Sequence, residues 1–348
     1  MNEQITAEKI IRWYKQNKRA FPWRDTGESY DVWLSEIMLQ QTRIPVILER
    51  FPEFKRRFPG LFSLANASED EVLKEWEGLG YYSRARNLKK CAELLVKEYR
   101  GVFPKDSSEL QKLPGIGPYT AAAIACITAY EKTPLIDGNV LRVISRVSGI
   151  RDDVKSTKTV REIRSVLTGL LDTVQIPEDV PALSVGIMEL GEVVCKPGAG
   201  AECAECPLKD LCEANKCGLT DEIPFIPPKK PRLHEDKTVL IISTGEEVLL
   251  EKRPGEGLLA NMWQPVMTEG HISLEEAREF AENLGLSVKS AQQLPDADHV
   301  FSHKEWHMRA YKLCTNHVTV PGKTWVSKNR MEKYAIPSAF SAFKRQFN

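Results

Sequence analysis

The feature that most constrains the fold is a change of hydrophobic period across "GLTDEIPFIPPKKPRLHEDK", residues 218–237. Before it, apolar residues recur at helical spacing in "ITAEKIIRWYKQN", "DVWLSEIMLQQTRIPVILERF", "SEDEVLKEWEGLG", "YSRARNLKKCAELLVKEY" and "PYTAAAIACITAY", with Pro and Gly between the segments. After it the runs are strand-like. "TVLIIS" and "EVLLEKRP" flank the turn "TGEE" as a hairpin, and "HVFSHKEWHMRAYKL" and "KTWVSKN" read as extended. "SLEEAREFAENLG" reads as a helix, as does the terminal "SAFSAFKRQF". The stretch between carries four prolines, mixed charge and no period, which is the chemistry of a linker. An all-α region over 1–217, a linker over 218–235 and a smaller α+β domain over 236–348 follow, in a chain of 348 residues that is long enough for two cores.

With 42% hydrophobic and 28% charged residues, the composition is that of an ordinary globular protein, without a membrane-spanning apolar run. The N-terminus lacks the apolar core and cleavage site of a secretory signal, so a reducing, cytoplasmic compartment is expected. Lys plus Arg equals Asp plus Glu, 48 each, so any nucleic-acid binding must come from local patches. Five of the eight cysteines lie between Cys195 and Cys217. In "CKPGAGAECAECPLKDLC", Cys195, Cys203, Cys206 and Cys212 are separated by seven, two and five residues. Four thiolates on one short loop suit a [4Fe-4S] cluster, with an all-cysteine zinc site as the alternative and disulfides disfavoured.

"LPGIGPYTA", Leu113 to Ala121, places Gly115 and Gly117 before a helix that Pro118 can open. No lysine follows as a P-loop requires, and the preceding "DSSELQKL" is polar rather than a buried strand. Asp106 with Glu109, or Ser108 with Gln111, marks a short helix there, giving helix, hairpin, helix. Such a turn exposes N–H groups able to hold a DNA phosphate, or it binds nothing. In "VWLSEIMLQQT", Glu36 shares a helix face with Trp33 and Gln40: either it is an exposed carboxylate of an amphipathic helix, the reading this stretch alone favours, or an indole and aliphatic neighbours desolvate it and raise its pKa. In "PLIDGNVLRVISRV", Asp137 or Asn139 either caps the following helix or supplies a second carboxylate. Glycosidic cleavage through an oxocarbenium-like state uses one protonated and one ionised carboxyl, which would join Glu36 to Asp137.

Together, "VWLSEIMLQQTR", "GLGYYSRARNL", "LPGIGPYTA", "IDGNVLRV" and the cysteine loop resemble the helix-hairpin-helix DNA glycosylases with an iron–sulfur cluster, and within them the MutY family of adenine DNA glycosylases. The resemblance runs over nearly the whole chain. It implies an all-α glycosylase domain in two lobes, 1–20 with 130–217 and 21–129, bearing a [4Fe-4S] loop, then a Nudix-like domain that recognises 8-oxoguanine. It further implies a monomer acting on double-stranded DNA, on adenine opposite 8-oxoguanine, in the bacterial nucleoid if the source is bacterial. Glu36 would protonate the base, Asp137 would stabilise the oxocarbenium ion, and Asn139 would assist. Tyr119 occupies the place where the related endonuclease III family carries a Schiff-base lysine, so the activity would stop at base removal.

By the same resemblance Tyr81 would wedge into the duplex, with Arg24, Gln41, Thr42 and Leu79 on the lesion strand or its neighbours and Gly115 and Gly117 on a phosphate. Arg84 and Arg86 are either phosphate contacts or solvated surface charges. In "FSH", Phe301 and His303 would shape a loop from which Ser302 reads the oxidised base, whose N7–H is a donor where guanine has only an acceptor. Two departures stand out: the Cys195–Cys203 spacing is one residue longer than usual, and "PALSVGIMELG" lacks the customary Asn-Gln. Two other readings are a Nudix pyrophosphatase and an inactive DNA-binding protein. "REFAENLG" keeps Arg278, Glu279 and Glu282 of the hydrolase pattern, but Asn283 replaces a metal-binding glutamate, which favours a binding module.

Overall fold

The computed structural model describes residues 2–24, 26–228 and 231–347. They fall into two compact units, Met1–Asn66 with Lys90–Pro228, and Ala67–Lys89 with Lys229–Asn348. The segment 67–89, read from sequence as part of the helical region, thus groups with the C-terminal domain. No helix among the described residues is long and apolar enough to cross a membrane.

The chain opens with α1 (Glu3–Asn17), α2 (Ser29–Leu39), α3 (Ile44–Arg57) and α4 (Leu61–Asn66). It passes through the second unit with α5 (Glu69–Glu75) and the first turns of α6 (Ser83–Tyr99), then returns for α7 (Ser107–Leu110), α8 (Pro118–Ala129), α9 (Gly138–Ser148), α10 (Thr157–Asp172), α11 (Asp179–Val193) and α12 (Glu213–Lys216). The single helical run read over 31–51 is in fact broken. Gln41 takes a left-handed φ of 56° and Pro45 sits in the first turn of α3, where its missing N–H costs nothing. Helix α8 is buried from Thr120 to Cys126, because its alanines let neighbours approach closely. Apolar faces of α1, α9, α10 and α11 close a core around Ile10, Ile144, Ile163, Leu167 and Leu190.

The first half of the expected linker is not a free tether. Ile223 is 2% exposed in that same core, Val154 N–H donates to the Phe225 carbonyl at 3.1 Å, and Arg146 Nε donates to the Ile223 carbonyl at 2.7 Å. Proline content foretold the irregular backbone but not the buried isoleucine that pins it.

In the second unit the described residues form a six-stranded sheet of β1 (Leu233–Ser243), β2 (Glu247–Lys252), β3 (Trp263–Glu269), β4 (Val288–Val300), β5 (Lys304–Thr315) and β6 (Lys323–Ser327), in the order β4-β5-β1-β3-β2-β6. β1 and β5 run parallel and the other neighbours antiparallel. β1 reads as continuous "VLII" because both its faces are covered. Val239 and Ile241 pack with Trp306, Phe340 and Phe343, while Leu240 and Ile242 pack with Ala277 and Ala281 of α13 (Leu274–Asn283). The C-terminal helix shrinks to two 3₁₀ turns and α14 (Lys344–Phe347). The extended run from His299 splits at "FSH" into β4 and β5 of one hairpin, and Phe301 N–H closes the turn on the Lys304 carbonyl at 2.8 Å.

Candidate active site

The N-terminal unit holds a cleft of about 1300 Å³ whose wall includes Arg24, Glu36, Gln41, Thr42, Tyr119, Asp137, Asn139 and Glu189. Glu36 projects from α2, Tyr119 from the first turn of α8, and Asp137 precedes α9 as its N-cap. Burial lifts the Glu36 carboxyl from 4.5 to about 7, against the opposing pull of a hydrogen bond from Tyr119 and the charge of Arg24, with Asp137 adding to the rise. Trp33, expected to desolvate Glu36, packs on Tyr30 and Phe103 at centroid distances of 6.0 and 5.4 Å.

Tyr119 is a neutral phenol. Burial, then the charges of Glu36 and Asp137, push its ionisation well above the usual value, and its hydroxyl lies 3.7 Å from Met188 Sδ. Asp137 caps α9 and also faces the cleft. One oxygen accepts from Val140 N–H at 2.7 Å as a cap, and the other accepts from Asn139 Nδ2 at 3.1 Å. Burial raises its pKa, while bonds from Val140 and Asn139 and the charge of Arg142 favour its ionised form. Arg142 ties this pair to the cysteine loop: Nη2 donates to Asn139 Oδ1 at 2.7 Å and Nε to the Cys195 carbonyl at 2.7 Å. Gly191 permits the arrangement, since a Cβ there would stand 2.6 Å from the Asn139 Cβ. Sequence reading missed Arg142 and Gly191. Arg142 lies on one face with Asn139 at i+3 spacing, the signal available for it.

Arg24, expected on the lesion strand or its neighbours, lies with Gln41 and Thr42 in the cleft wall and donates to Glu189 at 2.8 Å. Of the two hairpin glycines, only Gly115 needs its freedom, with φ of 76°, whereas Gly117 caps α8 in extended backbone. Asp106 caps α7 through bonds from Ser108 and Glu109 N–H, completing the helix, hairpin, helix order.

In the second unit, Tyr81 is 44% exposed at a left-handed φ of 45°. Leu79 is 5% exposed. Arg84 is neither a phosphate contact nor a solvated charge. It is 8% exposed, donates to the Leu79 and Gly80 carbonyls at 2.8 and 3.1 Å and stacks on Trp76 and Tyr81. Arg86 donates to the Ala260 carbonyl at 2.7 Å. At the β4–β5 turn Phe301 packs against His299 and Trp306, while exposed Ser302 bonds its neighbour His303 at 3.2 Å. Glu279, Glu282 and Asn283 are exposed on α13, with Arg278 half-buried.

Cys195, Cys203, Cys206 and Cys212 line one small cavity of about 20 Å³ beside Arg146, whose Nη1 lies 3.3 Å from Cys195 Sγ. Backbone N–H groups of Leu208, and of Asn215 and Ala214, point at the Cys206 and Cys212 sulfurs. Cys217 is exposed and outside that wall. Among the described residues no three His, Cys, Asp or Glu side chains gather closely enough to hold a single metal ion.

Residues 34–168 match the HhH-GPD superfamily of base excision DNA repair proteins, and residues 238–346 match the NUDIX domain. The chain is 32% identical to the adenine DNA glycosylase of Mus musculus over 97% of its own length and 76% of the relative's. It is 31% identical to that of Homo sapiens, over 99% and 74%. A thermostable thymine-DNA glycosylase structure superposes with a TM-score of 0.56 at 23% identity, covering 62% of this chain and 97% of that one, a likeness of fold.

Proposed function

The chain belongs to the adenine DNA glycosylase family, and from that premise we propose how its cleft performs the excision. The enzyme hydrolyses the N-glycosidic bond of adenine in DNA. Adenine must leave the helical stack to reach a cleft of this kind. Glu36, protonated near neutral pH, donates its proton to adenine N7 as the C1′–N9 bond breaks and the bonding electrons leave with the base. The Asp137 carboxylate, fixed by Val140 N–H and the Asn139 amide, stabilises the oxocarbenium ion. Water then adds to C1′ and its proton returns to Glu36, leaving free adenine and an abasic site. Tyr119 offers a phenol and no amine, so no Schiff base forms there and the strand stays intact.

One observation carries this reading: a carboxyl titrating at about 7, bonded to a neutral phenol and facing a second carboxylate in one cleft. The base opposite is 8-oxoguanine, read by Ser302 at the exposed β4–β5 turn, and the protein acts as a monomer on the duplex. Cys195, Cys203, Cys206 and Cys212, which share one cavity wall, would hold a [4Fe-4S] cluster, with an all-cysteine zinc site as the alternative. The cluster would fix the loop that Arg142 and Arg146 grip. Iron and sulfide content of the purified protein tests this, and stoichiometric zinc instead would contradict it. Excision rates with adenine opposite 8-oxoguanine and opposite guanine test the rest. Ser302→Ala should narrow the preference for the oxidised partner several-fold, and an unchanged ratio would remove Ser302 as its reader.

A further inference from the structure

Glu189 stands on α11 in the cleft wall, its side chain 4% exposed, and the reaction as described gives it no task. It accepts from Arg19 Nε at 2.7 Å, Arg19 Nη2 at 3.1 Å and Arg24 Nη1 at 2.8 Å. Both guanidinium groups also lie over the Phe21 ring, at 5.1 and 4.7 Å from its centroid. Burial disfavours the Glu189 carboxylate, yet the bonds and charges of the two arginines hold its pKa below the ordinary value. A buried anion spanning two cations from a preceding loop is costly to build unless its geometry is used.

Its use follows from what Arg24 faces. That guanidinium is close enough to favour the charged form of Glu36, the group that must carry a proton, and of Tyr119. Two uncompensated cations in this wall would strip the proton from the donor and oppose a cationic transition state. We propose that Glu189 is a positioning residue for base excision, fixing Arg24 in the cleft wall and offsetting, from behind, the guanidinium charge that Arg24 brings to Glu36. The groups that face Glu36 are then Tyr119 from α8, Asp137 from the start of α9, and Arg24 from the loop before α2, with Glu189 of α11 and Arg19 behind Arg24.

The inference rests on Glu36 being the proton donor, and single-turnover excision from pH 5.5 to 9 separates the two claims. Glu189→Gln keeps the shape and removes the charge. The alkaline limb of the rate profile should move down by about one pH unit, making the variant about tenfold slower at pH 8 and less than twofold slower at pH 5.5. Glu189→Asp should restore most of the limb, and Glu189→Gln combined with Arg24→Gln should return it to the wild-type position or above. Arg19→Gln, at a partly exposed site that the fold tolerates more readily, should move the limb upward instead. A uniform fall at every pH, as a merely structural ion pair would give, overturns the proposal, as does an unmoved limb in both single variants. A wild-type profile with no alkaline limb refutes Glu36 as the donor.

Discussion

Glu36→Gln should make the protein more stable while abolishing excision, and the size of the gain is set by the carboxyl's displacement. In the unfolded chain this group titrates near 4.5; in the cleft it titrates at about 7. Below 4.5 it is protonated in both states and burial costs nothing extra. As pH rises through that window the native state holds a proton the unfolded state has released, so stability falls until the cleft carboxyl itself ionises. Above 7 the full displacement is lost, at most about 3 kcal/mol, and hydration of the open cleft trims it. Glutamine is neutral throughout and can still pair with Tyr119. The variant's melting temperature should therefore exceed the wild type's by on the order of 5 °C at pH 8, with a much smaller gap at pH 5. Equal melting temperatures at both values, or a gap that narrows as pH rises, would refute the assignment of a buried, proton-holding carboxyl.

Three further outcomes follow from the same geometry. Gly191→Ala pushes a methyl group into Asn139, 2.6 Å from its Cβ, and should slow single-turnover excision at least tenfold while leaving duplex affinity within about twofold. Arg84→Met removes the donor to the Leu79 and Gly80 carbonyls, so amide exchange over 78–82 should quicken and stability should drop by about 1–3 kcal/mol, with the salt dependence of DNA binding unchanged. A reduced salt slope would restore the phosphate reading of that arginine. Tyr119→Phe deletes a bond that favours the Glu36 carboxylate, so the alkaline limb of the excision profile should move up in pH, and a downward move would contradict the hydrogen bond.

Local pattern carried much of this site. Asp106, Asp137 and Pro118 declare helix starts through their own chemistry, and Glu36 and Tyr119 sit in stretches whose motifs are contiguous. What the pattern could not carry are contacts between distant segments. Arg24 and Glu189 meet across 165 residues, and Gly191 matters only because α11 passes against the start of α9. β3 stayed hidden because Pro265 argues against a central strand, yet it pairs with Leu250 in the middle of the sheet. Arg84 read as a surface charge because no sequence rule distinguishes a solvated arginine from one that braces two carbonyls.

Single-turnover incubation with duplex bearing adenine opposite 8-oxoguanine, scored for strand breaks with and without alkali, bears most directly on excision by Glu36 without a Schiff base. Wild-type protein should give breaks only after alkali, and Glu36→Gln should give none while still binding the duplex. Breaks without alkali, or turnover by Glu36→Gln, would contradict it.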